Sequence, residues 1–448
     1  MSPEPAVPCT CPARPGAPSV PRMKATIVPE VTSRDLADDP EQVTPADSMT
    51  RPHDPPRAVA WLAAPLLLVL TLTPLGPAGP DALAGQALPA EALDRVRAEL
   101  EPEIRRAMVE GRIPSLTIAL TAGDEIVWTA GYGESNLRAR TPATPETVYI
   151  IASTLKTMGA TVLLQLMEEG HFALDDPIDP YLGDIQIKGQ DPDHPITFRH
   201  LLTHTSGLAG SFSSVPVWAD TVPSPMDEFL RYGLDVRSAP EERVRYSNPA
   251  FTLIAHLIEE VTGSEFRKEM RKRIFHPLGM NATDFSPSPA MEEVLAVPYR
   301  PDPDTGAQQP VPRVRFAEWP AGGAWGTVEN QARWVIASLN GGNFRGTRLL
   351  SEETADLMQT RQFDRFTGPM AGGWGGRDAG YGLAWWTTTR RGERYIAHSG
   401  SVGGYTAFIH GNRDRKLGVA ILTNGQRAHS HLVRLSFLAT DLMAEHAR

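Results

Sequence analysis

Cysteine is almost missing from this 448-residue chain. The two that occur, Cys9 and Cys11, sit at the extreme N-terminus. The rest of the chain can therefore form no disulfide and no thiolate metal site. Lysine is nearly as scarce: Lys24, Lys156, Lys188, Lys268, Lys272 and Lys416 are the whole set, against abundant arginine. No stretch is dense in basic residues, and the formal charge is -10 with a pI near 5.7. That balance argues against nucleic acid as a partner. Gly131 and Gly133 lack the third glycine of a dinucleotide loop. No Gly-x-Ser-x-Gly elbow occurs, which disfavours an α/β-hydrolase triad. His200 and His204 have the i, i+4 spacing of zinc ligands, but the intervening Glu of a His-Glu-x-x-His helix is absent and Thr205-Ser206-Gly207 reads as a turn. No metal and no cofactor are expected.

There is a single long apolar run, at residues 58–75. Arg51 and Arg57 precede it and Ala82-Leu83-Ala84 follows it. Basic flank, apolar core and small-residue site make residues 57–84 a signal peptide cut near Ala84. A membrane anchor is the alternative, interrupted by Pro65 and Pro74. No cysteine follows the run, so a lipoprotein anchor is excluded. Residues 1–56 carry 13 of the 41 prolines without apolar periodicity. They read as disordered or as a misassigned start, with Met49 or Met23 as the natural first residue. The expected location is exported, periplasmic or extracellular, or anchored by residues 58–75.

What remains, residues 85–448, is long enough for one large or two ordinary domains. Leu93, Val96, Leu100, Ile104 and Met108 have helical spacing within residues 89–110. Strand patterns follow at 115–121 and 125–130, and three more at 394–398, 404–410 and 417–423. A last helix covers 430–445. The middle reads as helices and loops. The fold class is thus α/β in the α+β sense: a five-stranded antiparallel sheet flanked by the terminal helices, with a largely helical insert. The sheet part is 85–150 with 381–448, and the helical part 151–380. A cleft between them is the natural substrate site.

The chemistry centres on residues 150–156. Ser153 stands in an apolar run, three residues before Lys156. A lysine among Ile150, Ile151, Leu155 and Met158 is costly unless it is paired or at work. That spacing puts both side chains on one helical face, and an amine can activate a serine hydroxyl. Downstream stand Tyr246-Ser247-Asn248 and His398-Ser399-Gly400-Ser401. At Asn248, Pro249 and the apolar run ending at Gly263, a helix opens with Asn248 as its cap.

In this order, the three motifs resemble the serine β-lactamase and penicillin-binding superfamily. They are most similar to its class C β-lactamases and the D-alanyl-D-alanine peptidases and carboxylesterases of that fold. Gly131-Tyr132-Gly133, Leu174 to Pro177, His200 to Leu208, Pro277 to Met280, Ala321-Gly322-Gly323 and Tyr381-Gly382-Leu383 extend the likeness over about residues 95–445. The resemblance implies a β-lactamase/transpeptidase-like fold and an acyl-serine hydrolase. Ser153 would be the nucleophile, Lys156 its activator and Tyr246 the proton shuttle. Asn248 would bind the substrate amide and help hold Lys156. His398, with Ser399 and Gly400, would bind substrate, and His398 would bring positive charge to a carboxylate where many relatives carry lysine. The amides of Ser153 and Ser401 would form the oxyanion hole. Trp374-Gly375-Gly376 resembles a string of related esterases but lies too early to be the third motif. The expected activity is that of a D-alanyl-D-alanine-type peptidase or esterase. A true β-lactamase and a non-catalytic cell-wall binding domain are the alternatives, the last disfavoured by the presence of Ser153, Lys156 and Tyr246.

Overall fold

The computed structural model describes residues 88–210, 227, 229, 233–313, 318–363 and 378–447. The proposed signal segment, residues 57–84, and the Trp374-Gly375-Gly376 string lie outside the described residues.

Helix α1, Ala90–Glu110, turns Ala92, Val96, Leu100, Ile104 and Ala107 to one side and buries them. That spacing of three and four residues draws one apolar stripe along the helix. It packs against the last helix, α5, His429–His446, which buries Leu432, Leu435, Ala439 and Leu442. Both cover one face of an antiparallel sheet.

The sheet has eight strands among the described residues, where five are expected from the sequence. In chain order they are β1 (Ser115–Ala122), β2 (Glu125–Asn136), β3 (Thr141–Pro142), β4 (Gly380–Tyr381), β5 (Trp386–Arg390), β6 (Glu393–Val402), β7 (Tyr405–Asn412) and β8 (Leu417–Thr423). The order across the sheet is β4-β5-β6-β7-β8-β1-β2-β3. The extra strands add to the edges. β3 and β4 are two residues long, too short for a period of two to register, and β5 is largely threonine. The five expected strands form the centre, and β1 pairs with β8 in the register Ile118↔Ile421. The two ends of the described chain thus meet side by side. Every residue of β1, β7 and β8 is buried, because both faces of the sheet are covered. Leu116, Ile118 and Leu120 belong to the core under α1 and α5, whereas Ala119 belongs to the core of the other face.

On that second face lie the helical residues. Helix α4, Val328–Leu339, sits so close that a side-chain carbon on Gly418 would stand 2.4 Å from Val335. Helix α2, Leu155–Glu168, is buried on nearly every side, as its all-round apolar pattern demands. Ser153 does not open it directly. A 3-10 turn, Ala152–Thr154, precedes it. Ala152 has φ +49°, a left-handed conformation disfavoured for any residue with a side chain. A short strand pair, Tyr149–Ile150 with Trp325–Gly326, leads into this turn, and the Ile151 N–H donates to the Ala324 carbonyl at 2.9 Å.

Helix α3, Asn248–Thr262, also begins one residue away from expectation. Ser247 is the cap: its hydroxyl accepts from the Ala250 N–H at 3.2 Å. Asn248 occupies the first helical position and Pro249 the second, so the Asn248 side chain is released from capping.

Strand β6 presses on the turn that carries Ser153. A side-chain carbon on Gly400 would lie 2.4 Å from the Ser153 nitrogen and 2.6 Å from the Ala152 Cβ. Gly400→Ala should therefore destabilise the fold by about 1–3 kcal/mol through overpacking. Urea unfolding measures it, and an unchanged midpoint would show that the turn has room to give.

Candidate active site

Lys156 is fully buried, yet its amine has partners. Nζ donates to the Ser153 hydroxyl oxygen at 3.0 Å and to the Ala321 carbonyl at 2.7 Å. It also lies 5.0 Å from the centre of the Tyr246 ring and 5.6 Å from that of Phe251. Burial pushes the amine down to about 7, with the Glu318 carboxylate opposing the shift. Desolvation wins because neutral hydrogen-bond acceptors and ring faces replace water without supplying a full counter-charge. Near neutral pH the amine is shared between its charged and neutral forms, so it can accept the Ser153 proton.

Ser153 is half-buried at the start of the buried helix. Its hydroxyl meets Lys156 on one side and lies close to the Tyr246 phenol. Burial drives the Tyr246 phenol well above its ordinary range, and Glu318 adds to this. The amine and the phenol beside Ser153 are therefore pushed in opposite directions. The amine gives up its proton readily, and the phenol keeps its own. That division separates a base from an acid within one site.

Asn248 and Glu318 form the next contact: Asn248 Nδ2 donates to Glu318 Oε2 at 3.2 Å. The expected hold of Asn248 on Lys156 is thus corrected. Asn248 holds the carboxylate, and the carboxylate acts on the lysine through its charge. Glu318 carries no sequence signal beyond its place three residues before Ala321-Gly322-Gly323.

His398 is also not what the sequence suggests. It is fully buried, and burial lowers its imidazole to about 3, helped by the nearby Lys156 charge. It cannot bring a cation to a substrate carboxylate at neutral pH. Its Nδ1 is 2.7 Å from the Ser399 carbonyl. A carbonyl only accepts, so Nδ1 carries the proton and Nε2 is a bare acceptor, buried without a partner. Strand alternation divides the rest of this motif. His398 pairs with Ile409, which faces the helical side, and Ser399 with Phe408, which faces α1 and α5. Ser399 and Ser401 alternate with His398 and Gly400 along the strand, so their side chains lie on its opposite face. Gly400 is where the strand meets the Ser153 amide, and Gly322 closes in from the other side, its absent side chain 3.3 Å from the same nitrogen. The two amides expected to bind an oxyanion, those of Ser153 and Ser401, thus come from elements in contact.

The paired histidines of the zinc pattern turn to other partners. His200 Nδ1 accepts from the Thr197 N–H at 3.2 Å, and its Nε2 stands 3.3 Å from Glu241. His204 packs its ring 4.2 Å from that of Tyr246. It is a site residue that the sequence pattern, read for metal, does not reveal.

Comparison with known proteins agrees with this geometry. The family model described as Beta-lactamase matches residues 100–440. The octameric penicillin-binding protein homologue from Pyrococcus abyssi is similar in structure, with a TM-score of 0.65 and 29% identity over 77% of each chain. Among curated relatives, the Unguisins hydrolase ungD of Aspergillus violaceofuscus is 26% identical over 73% of this chain and 61% of its own. Protein flp of Staphylococcus aureus (strain COL) is 24% identical over 73% of this chain and 62% of its own. The chain spans about three fifths of the length of these two relatives. With its model matched from the first long helix to the last, and with Ser153, Lys156 and Tyr246 brought together, this chain belongs to the Beta-lactamase family.

Proposed function

We propose that the protein is an acyl-serine hydrolase of ester or amide bonds, with D-alanyl-D-alanine-type peptides or simple esters as its substrate class. The observation that carries this reading is the buried Lys156 amine, lowered to about 7 and 3.0 Å from the Ser153 oxygen. Lys156 takes the Ser153 proton as Oγ bonds to the substrate carbonyl carbon. The carbonyl oxygen gains charge between the Ser153 and Ser401 amides; losing one such donor typically costs about 100–1000-fold in rate. Tyr246, whose phenol stays protonated, delivers a proton to the leaving group and recovers one from Lys156. Water then reverses the sequence and frees Ser153. Asn248 presents its amide to the substrate. The apolar run at residues 58–75 supports an exported or membrane-anchored enzyme.

The neutral His398 weighs against recognition through a carboxylate, which lactams and D-alanyl-D-alanine ends share, and favours the ester side of this class. An acceptor at Nε2 suits an N–H or O–H of the substrate better than a carboxylate. A panel of a short-chain aryl ester, a D-Ala-D-Ala peptide and a chromogenic cephalosporin checks the reading. Turnover of the ester should exceed that of the cephalosporin and vanish in Ser153→Ala. Activity surviving Ser153→Ala would overturn the mechanism. His398→Lys should raise the cephalosporin-to-ester ratio of kcat/KM, and an unchanged ratio would remove His398 from substrate selection.

The lysine also sets a pH profile. Its folded pKa is depressed, so the basic form is present above about 7 and lost as pH falls through that value. The acylation rate should fall on the acid side with an apparent pKa near 7. Glu318 holds this value up, so Glu318→Gln should move the acid limb to lower pH. A limb that stays put or moves to higher pH would contradict the assignment of Lys156 as base.

A further inference from the structure

Tyr246 stands in a stretch that no helix or strand holds. Residues 243–247 are irregular, and α3 begins only at Asn248. A proton donor misplaced by about 1 Å can lose on the order of 100-fold in rate, so something must hold this tyrosine. The contacts on either side of it converge on one residue. The Arg245 N–H donates to the His204 carbonyl at 2.8 Å. The Ser247 N–H donates to His204 Nδ1 at 3.1 Å. Between these two anchors, the His204 ring lies against the Tyr246 ring at 4.2 Å. His204 therefore grips the residues before and after Tyr246, one with its backbone and one with its side chain, and supports the phenol ring from its face.

From these contacts we infer that His204 is the positioning residue of Tyr246. The inference rests on the reading of Tyr246 as the acid for the leaving group.

Three features fit this role. His204 has φ +58°, a left-handed conformation that a histidine adopts at a cost; the turn places its carbonyl and its ring side by side. Nδ1 must be unprotonated to accept from Ser247, which fixes the ring proton on Nε2 and the ring as neutral. Burial, with the Lys156 amine nearby, keeps it so. Finally, Nε2 is buried without a partner. A residue kept only to fill the core could be apolar and avoid an unsatisfied N–H, which costs about 1–3 kcal/mol. The neighbouring loop supplies the rest of the template: Ser247 Oγ donates to the Ala209 carbonyl at 2.6 Å, and the Asn248 N–H to the Gly210 carbonyl at 3.0 Å.

The test compares substrates that differ in leaving group. A nitrophenolate leaves without a proton, whereas an alkoxide or amine does not. His204→Gly keeps the left-handed backbone but removes the acceptor and the ring. It should lower the acylation rate constant for an alkyl ester or amide by about tenfold or more, with binding little changed, yet cost less than about threefold in the nitrophenolate burst that reports acylation by the nitrophenyl ester. His204→Asn places an acceptor two bonds beyond Cβ, as histidine places Nδ1, and tolerates the left-handed turn, so it should recover most of the loss. Tyr246→Phe should show the same leaving-group pattern. A His204→Gly cost equal on both substrates, or His204→Asn no better than His204→Gly, would overturn the inference. Should His204→Gly fail to fold, His204→Asn against His204→Gln decides, since glutamine carries its acceptor one bond too far. Equal activities of those two would overturn it. If Tyr246→Phe itself shows no dependence on the leaving group, the reading of Tyr246 fails first and the inference falls with it.

Discussion

A lysine amine in the interior, three ångströms from a serine hydroxyl, is the contact on which the rest of this structure depends. In water that amine would be almost wholly charged at neutral pH and useless as a base. Burial lowers it to about 7. The environment must then be apolar enough to depress the pKa, yet polar enough that the charged form remains accessible. The Ala321 carbonyl, the ring faces of Tyr246 and Phe251, and the partly compensating charge of Glu318 supply that balance. The same low-polarity surroundings act with the opposite sign on Tyr246 and keep its proton in place. One burial thus creates a base and an acid together.

The fold is arranged to make this burial and still leave Ser153 reachable. The sheet brings β6 against the turn before α2, and only a glycine at position 400 permits the approach. Gly322 allows the loop that carries the Ala321 carbonyl to close from the other side. Ala152 takes the left-handed turn that aims Ser153 away from the buried face of its helix. The strain at Ala152 and at His204 lies beside the two side chains proposed to react, Ser153 and Tyr246, where backbone strain tends to collect.

Much of this was readable from the residues. Central strands with alternating or wholly apolar patterns and long amphipathic helices appear where periodicity puts them. Edge strands of two residues carry no period, so the sheet is wider than the pattern implies. Ser153, Lys156 and Tyr246 come together because their motifs have recognisable spacing and order. Charge state was not readable. A histidine in a strand motif looks like a potential cation, and only its burial between two packed layers shows that it is neutral. Glu318 and His204 were hidden for a related reason. Each acts on a residue far away in sequence, Glu318 on Asn248 and Lys156, His204 on the flanks of Tyr246. Local pattern does not encode such contacts.

In the proposed mechanism, substrate becomes covalently attached to Ser153. Mixing the protein with a slowly deacylated aryl ester, quenching in acid within seconds, and mapping the peptides by mass spectrometry tests it directly. One added acyl group is expected, located on Ser153 and lost with time as hydrolysis proceeds. Hydrolysis of the ester with no acyl group on Ser153, or with the group on another residue, would contradict it.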